Sequence, residues 1–433
     1  MSLKEKLKDF FLKKALHDVS FVYIGALLNG VSLFAINIFL GRILEKSLFG
    51  IFTLSTLALS TVAELSDFGL NGGLLRFAPF YIANDEENKL KQLVKTIWGW
   101  RVWMSAILTF GGITASPFLA RFVFNRPEIS SYLMFAFLGV GGVVLVGFTS
   151  TYLQASQRFI TNSIVQALKG LARLLFVIVL YFLGFRDVFS YLVVYLIIPW
   201  FLFAFTYRFL PAHFSKVTVL PEIKKQLHSQ LAKFSFWLTI WSLSAILASR
   251  VDQIMLSNLM GLEKVAVYSM AFQFVYVYSL AQQSITTVLM PKMNSLRSNV
   301  ELVQFCRRAL VWLIPLTIII GILIYPSKII IGFVFGHKYV EALPVYLVLS
   351  FSMLINFIAI PFSLLITAFN RTHLVAFSGF LQLAVNLALN FVLIPRFGVI
   401  GAAYTFGLGI MLSFLYNAVC SWYLLRFKQI NVV

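Results

Sequence analysis

Twelve long apolar runs follow one another along the chain, separated by short clusters of charge. They fall at about 19–41, 48–78, 95–120, 131–155, 160–184, 187–208, 234–258, 265–290, 307–332, 341–368, 373–395 and 399–425. A helix that crosses a bilayer needs about 20 apolar residues, so the pattern predicts an all-α integral membrane protein of about twelve transmembrane helices. The short connections make neighbouring spans antiparallel. The longest connection, 209–233, holds Lys216, Lys224, Lys225 and Lys233 and reads as a cytoplasmic linker. It separates an N-lobe at 19–208 from a C-lobe at 234–426, with a cytoplasmic tail at 427–433.

The first 18 residues read differently. Leu3, Leu7, Phe10, Phe11 and Lys14 fall at helical spacing, bordered by Lys4, Lys6, Lys8 and Lys13. Such a segment predicts an amphipathic helix on the inner leaflet. It lacks the small-residue cleavage pattern of a signal peptide.

Composition supports the span pattern. Hydrophobic residues make up 60% of the 433 and charged residues 12%, against about 45–50% and about 25% in soluble domains. Twelve spans of about 22 residues account for nearly all of that apolar content, leaving little room for a soluble catalytic domain. The net charge of +19 would suggest nucleic acid in a soluble chain. Here it reads as the excess of Lys and Arg on cytoplasmic loops, and no nucleic-acid partner is expected. With the N-terminus inside, the inner segments hold 21 Lys and Arg and the outer segments nine. Both termini are therefore expected in the cytoplasm. Two cysteines, Cys306 and Cys420, and five scattered histidines predict neither a disulfide framework nor a metal site.

The halves carry traces of a repeat. Ala155 to Arg158 before span five matches Ala368 to Arg371 before span eleven, and Glu45-Lys46 matches Glu263-Lys264. The offsets are 213 and 218, close to half the length. Six spans per half then predict two pseudo-repeated six-helix lobes, an arrangement found in transporters.

Five bases lie inside spans, Arg76, Arg101, Lys169, Arg173 and Arg250, together with three acids, Glu64, Asp67 and Asp252. Each ionisable group at mid-membrane costs at least about 2.5–3.5 kcal/mol, so it faces protein or water and marks a functional candidate. Asn162, Gln166, Lys169 and Arg173 form one stripe on span five, and Gln382, Asn386 and Asn390 one on span eleven. The 213-residue offset sets a cationic stripe in one lobe against an amide stripe in the other. Arg173, Lys169 and Arg250 are thus candidates for holding a diphosphate, and Gln166, Gln382, Asn386 and Asn390 for sugar hydroxyls. The competing reading has these groups joining helices. Glu64, Asp67 and Asn71 share a face of span two; Asp67, Glu64 and Asp252 are candidates for ion coupling or for pairing with an Arg. Pro199, Pro315 and Pro361 permit kinks. No nucleotide loop, metal set or large outer loop suggests an enzyme.

Leu40-Gly-Arg42, Phe49-Gly50 and Asp67-Phe-Gly-Leu70 resemble the first two helices of Wzx-type polysaccharide (O-antigen) flippases. Arg250-Val-Asp-Gln-Ile-Met-Leu256 followed by Tyr268 is similar to the start of their second lobe, and Gly398-Val-Ile-Gly-Ala-Ala403 resembles their last helix. The resemblance implies the fold of the multidrug/oligosaccharidyl-lipid/polysaccharide (MOP) exporters, also that of MATE transporters, with two six-helix lobes in a V around a central cavity. It implies flipping of an undecaprenyl-diphosphate-linked oligosaccharide to the outer leaflet of the cell membrane by alternating access, for surface polysaccharide such as lipopolysaccharide. No cofactor is implied; a proton or sodium gradient resets the protein. Membrane lipids, a polysaccharide polymerase and other pathway proteins are the implied partners. The rivals are a MATE-like drug or metabolite antiporter, a lipid II flippase and, in a different class, a membrane polysaccharide polymerase or ligase.

The charge count generates a first prediction. Cysteines introduced at Ser215 and Val433 should resist a membrane-impermeant thiol reagent in intact cells and react after permeabilisation. Labelling of either from outside would reverse the orientation.

Overall fold

A computed structural model describes residues 3–217, 239, 243–244, 246–294, 296, 298–369 and 371–427, with side chains largely from residue 21 onward. The amphipathic face expected at 1–18, Lys224, Lys225 and Lys233 of the linker, and the tail from 428 fall outside the described side chains.

All regular elements among the described residues are helices. They are α1 Leu3–Ile43, α2 Lys46–Leu65, α3 Leu70–Ala83, α4 Glu87–Phe118, α5 Ser130–Phe137, α6 Val140–Ala155, α7 Phe159–Phe182 and α8 Val188–Tyr207. Then come α9 at 246–260 and α10 Leu262–Asn294, α11 Asn299–Phe335, α12 Ala342–Ala368, α13 Thr372–Phe397 and α14 Val399–Phe427. Nine are long and apolar enough to cross a membrane among the described residues, and ten if the pair α5–α6, bent by 42°, is one broken span. The two other expected spans fall on α9, which is preceded by undescribed residues, and on α10, where Gln273, Gln282 and Gln283 dilute the apolar run. Large apolar side chains such as Trp103, Phe110, Phe182, Phe201, Trp312 and Phe333 are exposed, as a multi-pass membrane protein requires of surfaces that meet lipid.

The chain forms two compact units. The first contains residues 1–39, 55–121 and 127–239; the second contains 40–54, 122–126 and 240–433. The second unit thus takes in the turn between α1 and α2, where Arg42 donates to the Val334 and Phe333 carbonyls at 3.1 and 2.6 Å. It also takes in the short segment after α4, where Ser257 donates to the Phe124 carbonyl at 2.9 Å. Expected proline sites prove compatible with helix: α8, α11 and α12 run through Pro199, Pro315 and Pro361.

Within the first unit, α1 lies directly on α7. A Cβ at Gly25 would sit 2.6 Å from the Ser163 carbonyl oxygen, and one at Gly170 2.6 Å from the Asn29 Cα. Contacts advance in the same direction on both helices, so spans one and five run parallel, as strict alternation demands. The second unit repeats this crossing between α9 and α13. Asn386 donates to the Ala248 carbonyl at 3.4 Å and Asn390 to Asp252 at 2.7 Å. Gly25 and Ser163, like Ala248 and Asn386, stand 138 positions apart. The two crossings therefore share one spacing, and α7 and α13 begin at Phe159 and Thr372, 213 positions apart. At that offset Lys169 and Arg173 correspond to Gln382 and Asn386.

Backbone-to-backbone contact leaves no room for a side chain. Gly25→Leu or Gly170→Leu should lower the melting temperature of detergent-purified protein by several degrees, since overpacking costs about 1–3 kcal/mol. Gly99→Leu, with open space beside it, should leave it nearly unchanged.

Candidate functional site

The polar stripe of α7 forms as expected, and neighbouring helices take up part of it. Asn162, near the N-terminal end of α7, accepts a hydrogen bond from Ser150 of α6, and Gln166 donates to the same hydroxyl at 3.3 Å. These two amides are thereby tied to α6. Arg173, three turns along from Asn162, is only 6% exposed. Its guanidinium lies over the Tyr195 ring of α8, 4.5 Å from the centroid. That ring is its partner among the described residues, and its buried Nε–H has no acceptor. Lys169 is half-buried one turn away. The charges acting on it are Arg173 and Glu64, the latter an exposed carboxylate near the end of α2. Two adjacent cations, one with unused donors in a buried setting, form a site suited to an anion.

Glu64, Asp67 and Asn71 do not share one continuous helical face, because span two is broken. α2 ends at Leu65 and α3 begins at Leu70, with Phe68 and Gly69 between them at φ 42° and 69°. A left-handed pair ends the helical ladder, and glycine tolerates the second position. Arg101 of α4 fills the break. It donates to the Ser66 carbonyl at 3.2 Å, the Ser66 hydroxyl at 3.3 Å, the Asn71 amide oxygen at 2.7 Å and the Asp67 carboxylate. Asp67 also accepts from the Asn71 backbone N–H at 3.1 Å. Asp67 thus has the Arg partner that the sequence left as the alternative to ion coupling.

Asp252 on α9 is 2% exposed. It accepts hydrogen bonds from Tyr268 of α10 at 2.9 Å and from Asn390 of α13 at 2.7 Å. Asn386 and Asn390 have no exposed surface, so the two join helices in the form the structure describes. Their amide oxygens are left without donors. Gln382 lies one turn before Asn386 on α13. Arg250, two residues before Asp252, is half-buried in the second unit, whereas Lys169 and Arg173 belong to the first. The features that sequence reasoning missed are Tyr195, the clamping role of Arg101 and the bond from Tyr268, singled out above only as part of a motif, to Asp252. The Asp67-Phe-Gly-Leu sequence contained a signal for the break, since a glycine two residues after an acid suits a turn. Nothing in the sequence marks Tyr195 among 17 tyrosines as the ring beneath Arg173.

With this geometry in view, similarity to known proteins becomes informative. A family profile described as polysaccharide biosynthesis protein matches residues 15–297. An uncharacterized membrane protein of Methanocaldococcus jannaschii is 24% identical over 96% of this chain and 84% of its own length. A Shigella flexneri protein named as an O-antigen transporter is 27% identical over 44% of this chain and 47% of its own. A Haloferax volcanii protein named as the low-salt glycan biosynthesis flippase Agl15 is 24% identical over 46% and 43%. The chain thus spans about half the length of the two relatives with functional names. Among solved structures, an inward-facing multidrug resistance MATE family transporter of the MOP superfamily matches with TM-score 0.73, 13% identity and coverage of 92% and 94%. Lipid II flippase MurJ in an inward closed conformation matches with TM-score 0.66, 16% identity and coverage of 90% and 87%. The fold is that of the MOP transporters.

The clamp at the break makes an asymmetric prediction. Arg101→Ala should destabilise by about 3 kcal/mol, at the low end for a broken buried pair, because the Asp67 side chain keeps 29% exposure. Asp67→Asn retains an acceptor for Arg101 and should cost less than half of that. Thermal unfolding in detergent distinguishes them; equal losses would assign the break's stability elsewhere.

Proposed function

We propose a function from one premise: this chain belongs to the polysaccharide biosynthesis protein family. It is a flippase that carries a polyprenyl-diphosphate-linked oligosaccharide from the cytoplasmic to the outer leaflet of the cell membrane by alternating access, for surface polysaccharide assembly. Both termini are cytoplasmic. The relatives named as an O-antigen transporter and a glycan biosynthesis flippase support that cargo, and the fold suits transport rather than catalysis.

The observation that carries the reading is the cation pair on α7. Arg173 is buried in a membrane-spanning helix, with an aromatic face beneath it and, among the described residues, no carboxylate bonded to it. A charge in that setting has use for an anionic visitor. The diphosphate offers acceptors to the Arg173 fork and to the Lys169 ammonium, whose neighbouring Glu64 gives way. The sugar head stays among polar groups, and the polyprenyl tail stays in lipid. A cation-exporting antiporter would instead present unpaired acids here; Asp67 in this unit is already bound to Arg101.

Charge-assisted contacts are worth about 1.5–3 kcal/mol each, or roughly 10–150-fold. In proteoliposomes, Arg173→Ala should slow delivery of lipid-linked oligosaccharide by that order while the melting temperature holds. Arg173→Lys should retain part of the rate, keeping charge and losing the fork. Normal delivery by well-folded Arg173→Ala would remove the cation pair from cargo binding.

A further inference from the structure

The second unit holds a groove between the N-terminal part of α11 and the C-terminal ends of α12 and α14. Its volume is about 470 Å³, within the range of roughly 300–1,000 Å³ usual for ligand sites. Its walls include Val311 and Ile314 of α11, Phe362 of α12, and Ala418 and Trp422 of α14. Hydrogen bonds between the helices hold these walls in place. Asn299 of α11 donates to the Leu425 carbonyl of α14 at 3.1 Å, and Ser421 of α14 donates to the Phe362 carbonyl at 2.9 Å. The groove is therefore part of the packing, and its surface is apolar along its length. On α11 it runs from Val303 to Ile314, about 16 Å at a rise of about 1.5 Å per residue. That matches the hydrocarbon of a single leaflet, about 15 Å.

Charge is confined to one end. Arg307 is the charged residue of the lining. It is exposed and has no ion pair among the described residues. Arg426 follows Leu425 of the lining, and its guanidinium lies 5.2 Å from the Trp422 ring centroid. A guanidinium over an aromatic face keeps its N–H donors. Both arginines belong to segments that the charge count assigns to the cytoplasmic side. A basic mouth on an apolar slot one leaflet deep suits a lipid with a negative head.

We propose that this groove binds an anionic phospholipid of the inner leaflet, its phosphate held by Arg307 and Arg426 and one hydrocarbon chain lying between α11, α12 and α14. The site lies wholly in the second unit, whereas Lys169 and Arg173 lie in the first. It does not depend on the flippase reading; its leaflet follows from the charge count. A resident phospholipid suits the groove better than a polyprenyl-linked cargo does. The cations are exposed at one end, as a headgroup that stays at the water interface requires. A head that crosses needs polar partners deeper in, and Val311, Ile314 and Phe362 offer none. Free phosphate would meet only two exposed arginines, screened by water and salt.

Native mass spectrometry of the full chain, purified in detergent and titrated with phosphatidylglycerol or phosphatidylcholine, tests the site. One phosphatidylglycerol should be retained in preference to phosphatidylcholine. Arg307→Ala and Arg426→Ala should each weaken phosphatidylglycerol about fivefold, and together about thirtyfold, the effect of one and two basic residues near an anionic lipid. Phosphatidylcholine should be unaffected by either. Arg308→Ala, exposed but outside the lining, should change neither lipid. Val311→Trp, at a wall position that is 61% exposed, should weaken both by filling the slot. Equal melting temperatures without added lipid would verify that the variants are folded. Equal retention of the two phospholipids, or the same loss in Arg308→Ala as in Arg307→Ala, would reduce the site to diffuse surface charge and overturn the proposal. Undiminished binding by Val311→Trp would remove the chain from the groove and overturn it as well. Displacement of phosphatidylglycerol by equimolar inorganic phosphate would leave an anion site only, and displacement by undecaprenyl phosphate would make the groove a carrier site. Either result also overturns the phospholipid assignment, and none of these outcomes touches the flippase reading.

Discussion

Inside hydrocarbon no water is present to satisfy a stranded carbonyl or charge, so irregular backbone persists only where the protein supplies partners. Arg101 meets that requirement for span two. The left-handed turn at Phe68 and Gly69 interrupts the ladder, and one guanidinium from α4 binds Ser66, Asp67 and Asn71 around it. α2 and α3 keep separate directions because that side chain spans the gap. The position of Glu64, at the end of α2, and with it the charge surroundings of Lys169, follow from where the break falls.

The same rule sorts the charged groups by what answers them. A carboxylate answered by Arg is fixed in one protonation state. A carboxylate answered by phenol and amide is fixed in place only. A guanidinium answered by an aromatic ring keeps its donors. Arg101, Asp252 and Arg173 represent three different settlements of one electrostatic problem, and they differ in how much capacity for outside chemistry each leaves. Asn162 and Gln166 leave less free capacity, since both bond the Ser150 hydroxyl.

Much of this architecture was legible from periodicity. Apolar run lengths located the helices, and the isolated charges within them picked out Arg173, Lys169, Asp67 and Asp252. Periodicity failed where it assumed an uninterrupted helix. A shared stripe of Glu64, Asp67 and Asn71 requires one straight helix, which the turn at Gly69 interrupts, and the bend between α5 and α6 was invisible for the same reason. The repeat was read from short matches next to helix starts, and the starts of α7 at Phe159 and α13 at Thr372 keep the same 213-residue offset. Partners across helices, such as Tyr195 for Arg173, depend on tertiary packing and have no sequence signature.

The two equivalent crossings carry a consequence for how a doubled protein acquires direction. Identical halves sense every signal together and gain nothing from having two copies. Here one copy joins its helices through close backbone approach at Gly25 and Gly170. The other copy joins its helices through side chains, an acid and two amides. Divergence at a handful of positions has therefore left one crossing held by backbone contact and the other by polar side chains. The asymmetry between duplicates lies in a single helix crossing rather than in any added domain.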